Sequence, residues 1–197
     1  MDSGIGDDNE VIRRTSAVYL TVILRYRDYI ESSEALYIPD LPRLIEPENV
    51  AVAALAERIK SSFDDYDYDR DFQDAAAKAY EYIKDYVSTI ALPIQFWQKS
   101  NETLDNRAGD FFDKSVLFCS VLVALGCAGA RVVLLLDGSR EVAVCYELNG
   151  IVTAYKFDES RAERFVDTKS VASWLQKRAG KEDSQGYSFN NMSCINL

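Results

Sequence analysis

No histidine occurs among the 197 residues of the chain. That absence removes the side chain whose ordinary pKa lies nearest neutrality, and with it the commonest general base and metal ligand. Neither a Cys-His nor a Ser-His-Asp relay can be built within this chain. Basic residues are also scarce. Against 32 Asp and Glu stand 22 Lys and Arg, for a formal net charge of −10. Such a surface repels phosphate backbones and anionic bilayers, so neither nucleic acid nor membrane is expected as a partner. Long apolar runs are missing too. The stretch from Ser115 to Ala130 is uncharged, but it is shorter than the ~20 residues a bilayer needs, and it holds Gly126 and Gly129. The opening MDSGIGDDNEV is acidic where a secretory signal is basic and then apolar. A cytoplasmic protein is the expectation. The four cysteines form no CxxC pair, and three of them, Cys119, Cys127 and Cys145, lie in apolar periodic segments. They read as buried reduced thiols.

What is present is enough hydrophobic sequence, 48%, to build the core of one ordinary domain. Residues 1–9 read as disordered. From Glu10 to about Leu36, apolar residues recur at three- and four-residue steps, which is helical spacing. YIPDLPRLIEP breaks that pattern with Pro39, Pro42 and Pro47 and reads as an extended connector. A second helix is expected from Pro47 to Phe63, with Val50, Ala54, Leu55, Ala56 and Ile59 on its apolar face. A third runs from Asp71 to Ile90. IQFWQKSNETLDNRAG reads as a loop anchored by Phe96 and Trp97. The segment from Asp110 to Leu125 is apolar on nearly every face, as befits a helix in the middle of a fold. Gly126 is its expected C-terminal cap.

After Gly126 the period becomes strand-like. ARVVLLLD, EVAVCYEL and IVTAYKFD are separated by the turn signals DGSR and NG, so they form an antiparallel meander. A short helix is expected over 167–178, and GYSFNN in the polar tail is a candidate edge strand. Helices first and an antiparallel sheet afterwards define an α+β fold. The organisation expected is an N-terminal helix with a proline-rich connector (1–46), a domain (47–180) and a tail (181–197).

Several motifs then occur in order: Trp97-Gln98, Glu102-Thr103-Leu104, Arg107-Ala108-Gly109-Asp110-Phe111-Phe112-Asp113, and Leu125-Gly126 through Ala130-Arg131-Val132-Val133. Over roughly residues 47–160 the chain resembles the transglutaminase-like superfamily, including its bacterial and archaeal cysteine-protease-like members. The resemblance implies a central helix packed on an antiparallel sheet, related to papain-like proteases. It also implies a triad: a cysteine at that helix's N-terminus, a histidine on the second following strand and an aspartate on the third. A helix N-terminus lowers a thiol's pKa, the imidazole takes the proton, and the carboxylate orients the imidazole. Carried onto this chain, the three positions are Phe111, Glu141 (within a residue or two) and Asp158. A phenyl ring has no nucleophilic atom, and a carboxylate replaces the base. Cleft-lining candidates are Trp97, Gln98, Asp110, Phe112, Asp113 and Cys145, with Phe112 expected against Trp97.

The leading expectation is therefore a transglutaminase-like domain without catalysis, acting as a binding or scaffolding module for a protein or peptide. Two alternatives stand beside it. One is a divalent-metal enzyme using Asp110, Asp113, Glu141 and Asp158. The bland account of those four is that Asp110 and Asp113 cap the helix while Asp158 pairs with Arg131 or Arg140. The other is a structural protein that self-associates through the tyrosine-rich N-terminal helix. Asp65, Asp67 and Asp69 imitate a calcium loop, but Arg70 stands where such a loop needs glycine and Ala76 where it needs glutamate. No residue is assigned to a metal, and no cofactor is expected.

Overall fold

The computed structural model describes residues 5–33, 37–94, 96–136 and 141–197. They form two compact units: Met1–Ala35 with Leu92–Trp97, and Leu36–Ala91 with Gln98–Leu197. The first unit carries helices α1 (Ile5–Arg25) and α2 (Arg27–Ser33). Helix thus begins at Ile5, inside the stretch expected to be disordered; the expected end at Leu36 lies outside the described residues.

The second unit opens with Ile38–Leu44, a 3-10 helix rather than the expected extended connector. Proline's fixed φ suits that geometry, and the turn buries Leu41 and Leu44. Helix α3 (Val50–Lys60) starts after Asn49, whose side chain accepts the Ala51 N–H. Pro47 therefore precedes the helix. The buried face is Val52, Leu55, Ala56 and Ile59, while Val50 is exposed. Helix α4 (Tyr68–Tyr86) is capped by Asp67, which accepts from Arg70 N–H at 3.0 Å, and Asp71 pairs with Arg70. The acidic turn thus serves as a helix cap. A two-residue strand β1 (Ser88–Thr89) pairs in parallel with β2 (Ala108–Gly109). Between them lies a helix expected as loop, α5 (Ser100–Asn106). Its Glu102 side chain accepts the Lys99 N–H at 2.9 Å.

Helix α6 (Phe111–Ala124) is the centre of this unit, with every residue from Phe112 to Leu122 buried. Gly126 ends it with φ +110°, and Tyr68 ring atoms lie 3.2 Å from where its Cβ would be. A side chain there would meet both backbone strain and a close neighbour. The sheet follows: β3 (Arg131–Leu135), β4 (Val142–Leu148), β5 (Ile151–Tyr155) and β6 (Glu163–Phe165). Asn149 and Gly150 both have positive φ in the β4–β5 hairpin, as the N-G signal requires. The DGSR turn lies outside the described residues. Helix α7 (Thr168–Ala179), capped by Asp167, precedes β7 (Gly186–Phe189) and β8 (Cys194–Asn196). Strand order is β6-β5-β4-β3-β7-β8, antiparallel throughout. GYSF is therefore an inner strand buried along its length rather than an edge, and β6 and β8 are the two edges. The fold is α+β, with a buried central helix on an antiparallel sheet.

The two faces of the sheet differ. Tyr155 packs edge-on against Phe118 of α6, and Tyr146 against Phe72 of α4. The other face holds Val133, Leu135, Ala143, Cys145, Val152 and Ala154, clustered with Val171, Ala172 and Leu175 of α7.

Candidate functional site

The mouth of α6 is tightly built. Asp110 Oδ1 accepts the N–H groups of Phe112 and Asp113 at 2.8 and 2.9 Å. Asp113 answers by accepting the Asp110 N–H at 3.0 Å, which completes a reciprocal cap. Asp113 also accepts the Gln98 N–H at 3.1 Å and the Gln98 side-chain amide at 3.2 Å. Gln98 in turn donates to the Ala108 carbonyl and accepts from Asn106. One buried carboxylate thus ties the residues before α5, the β2 segment and the first turn of α6 together. Gly109 fits only because it lacks a side chain, since a Cβ there would lie 2.9 Å from Asp113 Cβ. The motif Arg107-Ala108-Gly109-Asp110 is thereby explained as a close approach of backbone to Asp113.

Burial pushes the Asp113 carboxyl up to about 6, with the neighbouring Asp110 charge adding to it, while the hydrogen bonds from Asp110 and Gln98 oppose the shift. A folded-state pKa raised above the unfolded value stabilises at low pH. That contribution is complete below about 4 and is lost as pH rises through about 6. We expect wild-type stability relative to Asp113→Asn to fall by on the order of 3 kcal/mol between pH 4 and 7. Urea melts of the two proteins across that range check it, and parallel profiles would contradict it.

Phe111 is the first residue of α6 and is 39% exposed. Phe112 turns inward, its ring centroid 6.2 Å from that of Phe189. One turn below Phe111 lies Lys114, only 3% exposed. Its Nζ donates to Thr89 Oγ1 at 2.8 Å and sits 5.6 Å from the Phe157 ring centroid. Burial and the Lys84 charge hold its pKa below the usual lysine range. No sequence motif singles out this residue. Its signal is a lone cation inside the apolar run FFDKSVLF.

Glu141 and Asp158 do come together, and a second lysine joins them. Lys156 Nζ, in a residue that is 6% exposed, lies 3.0 Å from Glu141 Oε2 and contacts Asp158 Oδ2. The pleat decides where this trio points. Ala143 belongs to the α7-side cluster, and the β4–β5 register places Lys156 across from it. Alternation puts Glu141 on that same side. The residues turned toward α6 are Val142 and Phe157. Phe157 stacks on Tyr80 at 5.0 Å and meets Phe118 edge-on. Moving the histidine position by one residue, within the range the motif allowed, makes the residues facing α6 apolar.

Cys145 lies in the α7-side cluster rather than facing α6, and burial pushes its thiol up to about 12. Cys119, inside α6, is also raised by burial. Asp158 pairs with Lys156. Arg131 instead binds Ser188 and Ser193, and Arg140 lies outside the described residues. The four carboxylates thought to converge form two separate sets, one in the helix cap and one around Lys156. Among the described residues, no group of three or more His, Cys, Asp or Glu is placed to hold a metal. Trp97 belongs to the first unit and is half-buried.

No family model and no curated protein matches the chain. Solved structures do. Legionella pneumophila LapG aligns with a TM-score of 0.52 at 14% identity, covering 78% of this chain and 88% of that one. Calcium-bound LapG from the same organism gives 0.50 at 14%, covering 75% and 76%. A candidate protease from Parabacteroides distasonis gives 0.51 at 14%, covering 79% of this chain and 29% of that chain. At such identities the likeness establishes a shared fold and nothing further.

Proposed function

We propose that this chain is a transglutaminase-like domain that has given up cysteine chemistry and works by binding. The observation that carries the reading is Phe111. It occupies the helix mouth where the resemblance calls for a thiolate, in a chain with no histidine. The surroundings support it. Val142 and Phe157, which face α6, offer no base and no carboxylate. The buried thiols have raised pKa values, the opposite of what a nucleophile needs. Ser115, one turn below Phe111, spends its hydroxyl on the Phe111 carbonyl at 2.7 Å. Both carboxylate sets are engaged internally, which leaves the metal-dependent alternative without a specific observation in its favour.

Two measurements test this. Fluorogenic peptide and amide substrates should show no turnover above buffer. A fluorescent iodoacetamide should label the half-exposed Cys194 in the folded protein, and Cys119, Cys127 and Cys145 only after unfolding. Turnover that co-purifies with the protein and disappears after alkylation would overturn the reading.

A further inference from the structure

From Val11 to Arg27 the chain carries Arg13, Arg14, Arg25 and Arg27 and no acidic residue. In a chain of net charge −10 this is a local reversal of sign. The segment is helical throughout. The Tyr26 N–H donates to the Val22 carbonyl at 3.1 Å and the Ile30 N–H to that of Tyr26 at 3.0 Å, so the ladder crosses the α1–α2 junction. At ~3.6 residues per turn, Val11, Val18, Tyr19, Val22, Tyr26 and Tyr29 share one face, about 27 Å long. All six are exposed, by 47 to 74%. Ile12, Ile23 and Ile30 widen that face toward Arg27, Arg14 and Arg25 border it on the other side, and Glu10 and Asp28 lie behind it together with the exposed Leu20 and Leu24. The Glu10–Arg14 and Arg27–Glu31 pairs are solvent-exposed i,i+4 contacts, too weak to withhold either arginine.

An apolar face with an arginine border selects its occupant by charge. Pairing with a second copy sets arginine borders against each other, which argues against self-association through this helix. We propose instead that the face docks on an anionic membrane surface. The aliphatic side chains enter the headgroup–acyl boundary, and the arginines reach lipid phosphates. Tyr19, Tyr26 and Tyr29 suit that depth, with an apolar ring and a polar tip. No helix among the described residues is long and apolar enough to cross a membrane, so the helix lies along the surface. The expectation of no membrane partner rested on net charge. Screening over about 8 Å at physiological salt makes the local charge decisive instead.

The test is co-sedimentation of the full chain with vesicles of phosphatidylcholine alone and of phosphatidylcholine with phosphatidylglycerol at about 7:3. Binding to the mixed vesicles alone is expected, weakening as salt is raised. Val22→Glu should reduce the bound fraction about tenfold or more, and Arg25→Glu several-fold, with thermal melts unchanged. Absence of binding to the mixed vesicles, equal binding to both kinds, or insensitivity to Val22→Glu would overturn the proposal. So would a solution dimer abolished by Val22→Glu, which would assign the face to a second copy. The result is independent of the α6 mouth, since an active enzyme would leave this face as it is.

Discussion

Asp113→Ala is expected to lower the melting temperature by roughly 10 °C or more, on the basis of three orphaned donors at ~1–3 kcal/mol each. The donors are the Gln98 N–H, one proton of the Gln98 side-chain amide, and the Asp110 N–H. Asp113 is 1% exposed and Gln98 6%, so water cannot readily replace the lost acceptor. Asp113→Asn keeps one acceptor oxygen and should cost less. It turns an amide toward donors that the carboxylate satisfied, so it should still fall short of wild type at neutral pH. Denaturant melts of the three proteins at pH 7 give the ordering. If Asp113→Ala proves as stable as Asp113→Asn, the carboxylate is not the tie between the Gln98 segment and α6. A loss of stability also separates framework from chemistry, because removing a residue that served catalysis alone would leave stability unchanged.

Sequence periodicity located the parts of the fold that carry their own signal. The helix α6 is apolar on all sides and could only be central, and the N-G hairpin fixed the β4–β5 register. Elsewhere the signal is not local. SNETLDN has no apolar stripe, and α5 is held by the Asn106 side-chain amide, which donates to Gln98, and by Gln98 in turn to Asp113. The GYSF segment looked like an edge because it is short and sits in a polar tail. It is buried because the three-residue strand β8 (Cys194–Asn196) pairs along its outer side. The candidate site divides the same way. Phe111 was readable from the motif and its place at a helix mouth. The orientation of the other two positions was not, because a shift of one residue along a strand exchanges the faces of the sheet. Only the packing of Ala143 and Cys145 with α7, and of Tyr155 with Phe118, shows that Val142 and Phe157 face α6 while Glu141 and Lys156 face away.

The charged trio left on the far side has its own consequence. Lys156→Met should destabilise the protein by about 3 kcal/mol, the scale for removing one partner of a buried ion pair. The lysine carries the argument because it is the buried member, while Glu141 and Asp158 keep partial access to water. Without the ammonium, two carboxylates at adjacent strand ends face each other with no cation between them. A further outcome distinguishes that repulsion from simple loss of packing. Adding Glu141→Gln and Asp158→Asn to Lys156→Met should recover most of the loss, since the neutral trio has nothing to repel. Urea melts of the three proteins at neutral pH measure the effect. A deficit not relieved by the neutral pair would mean that the stem of Lys156, rather than its charge, holds the ends of β4 and β5 together.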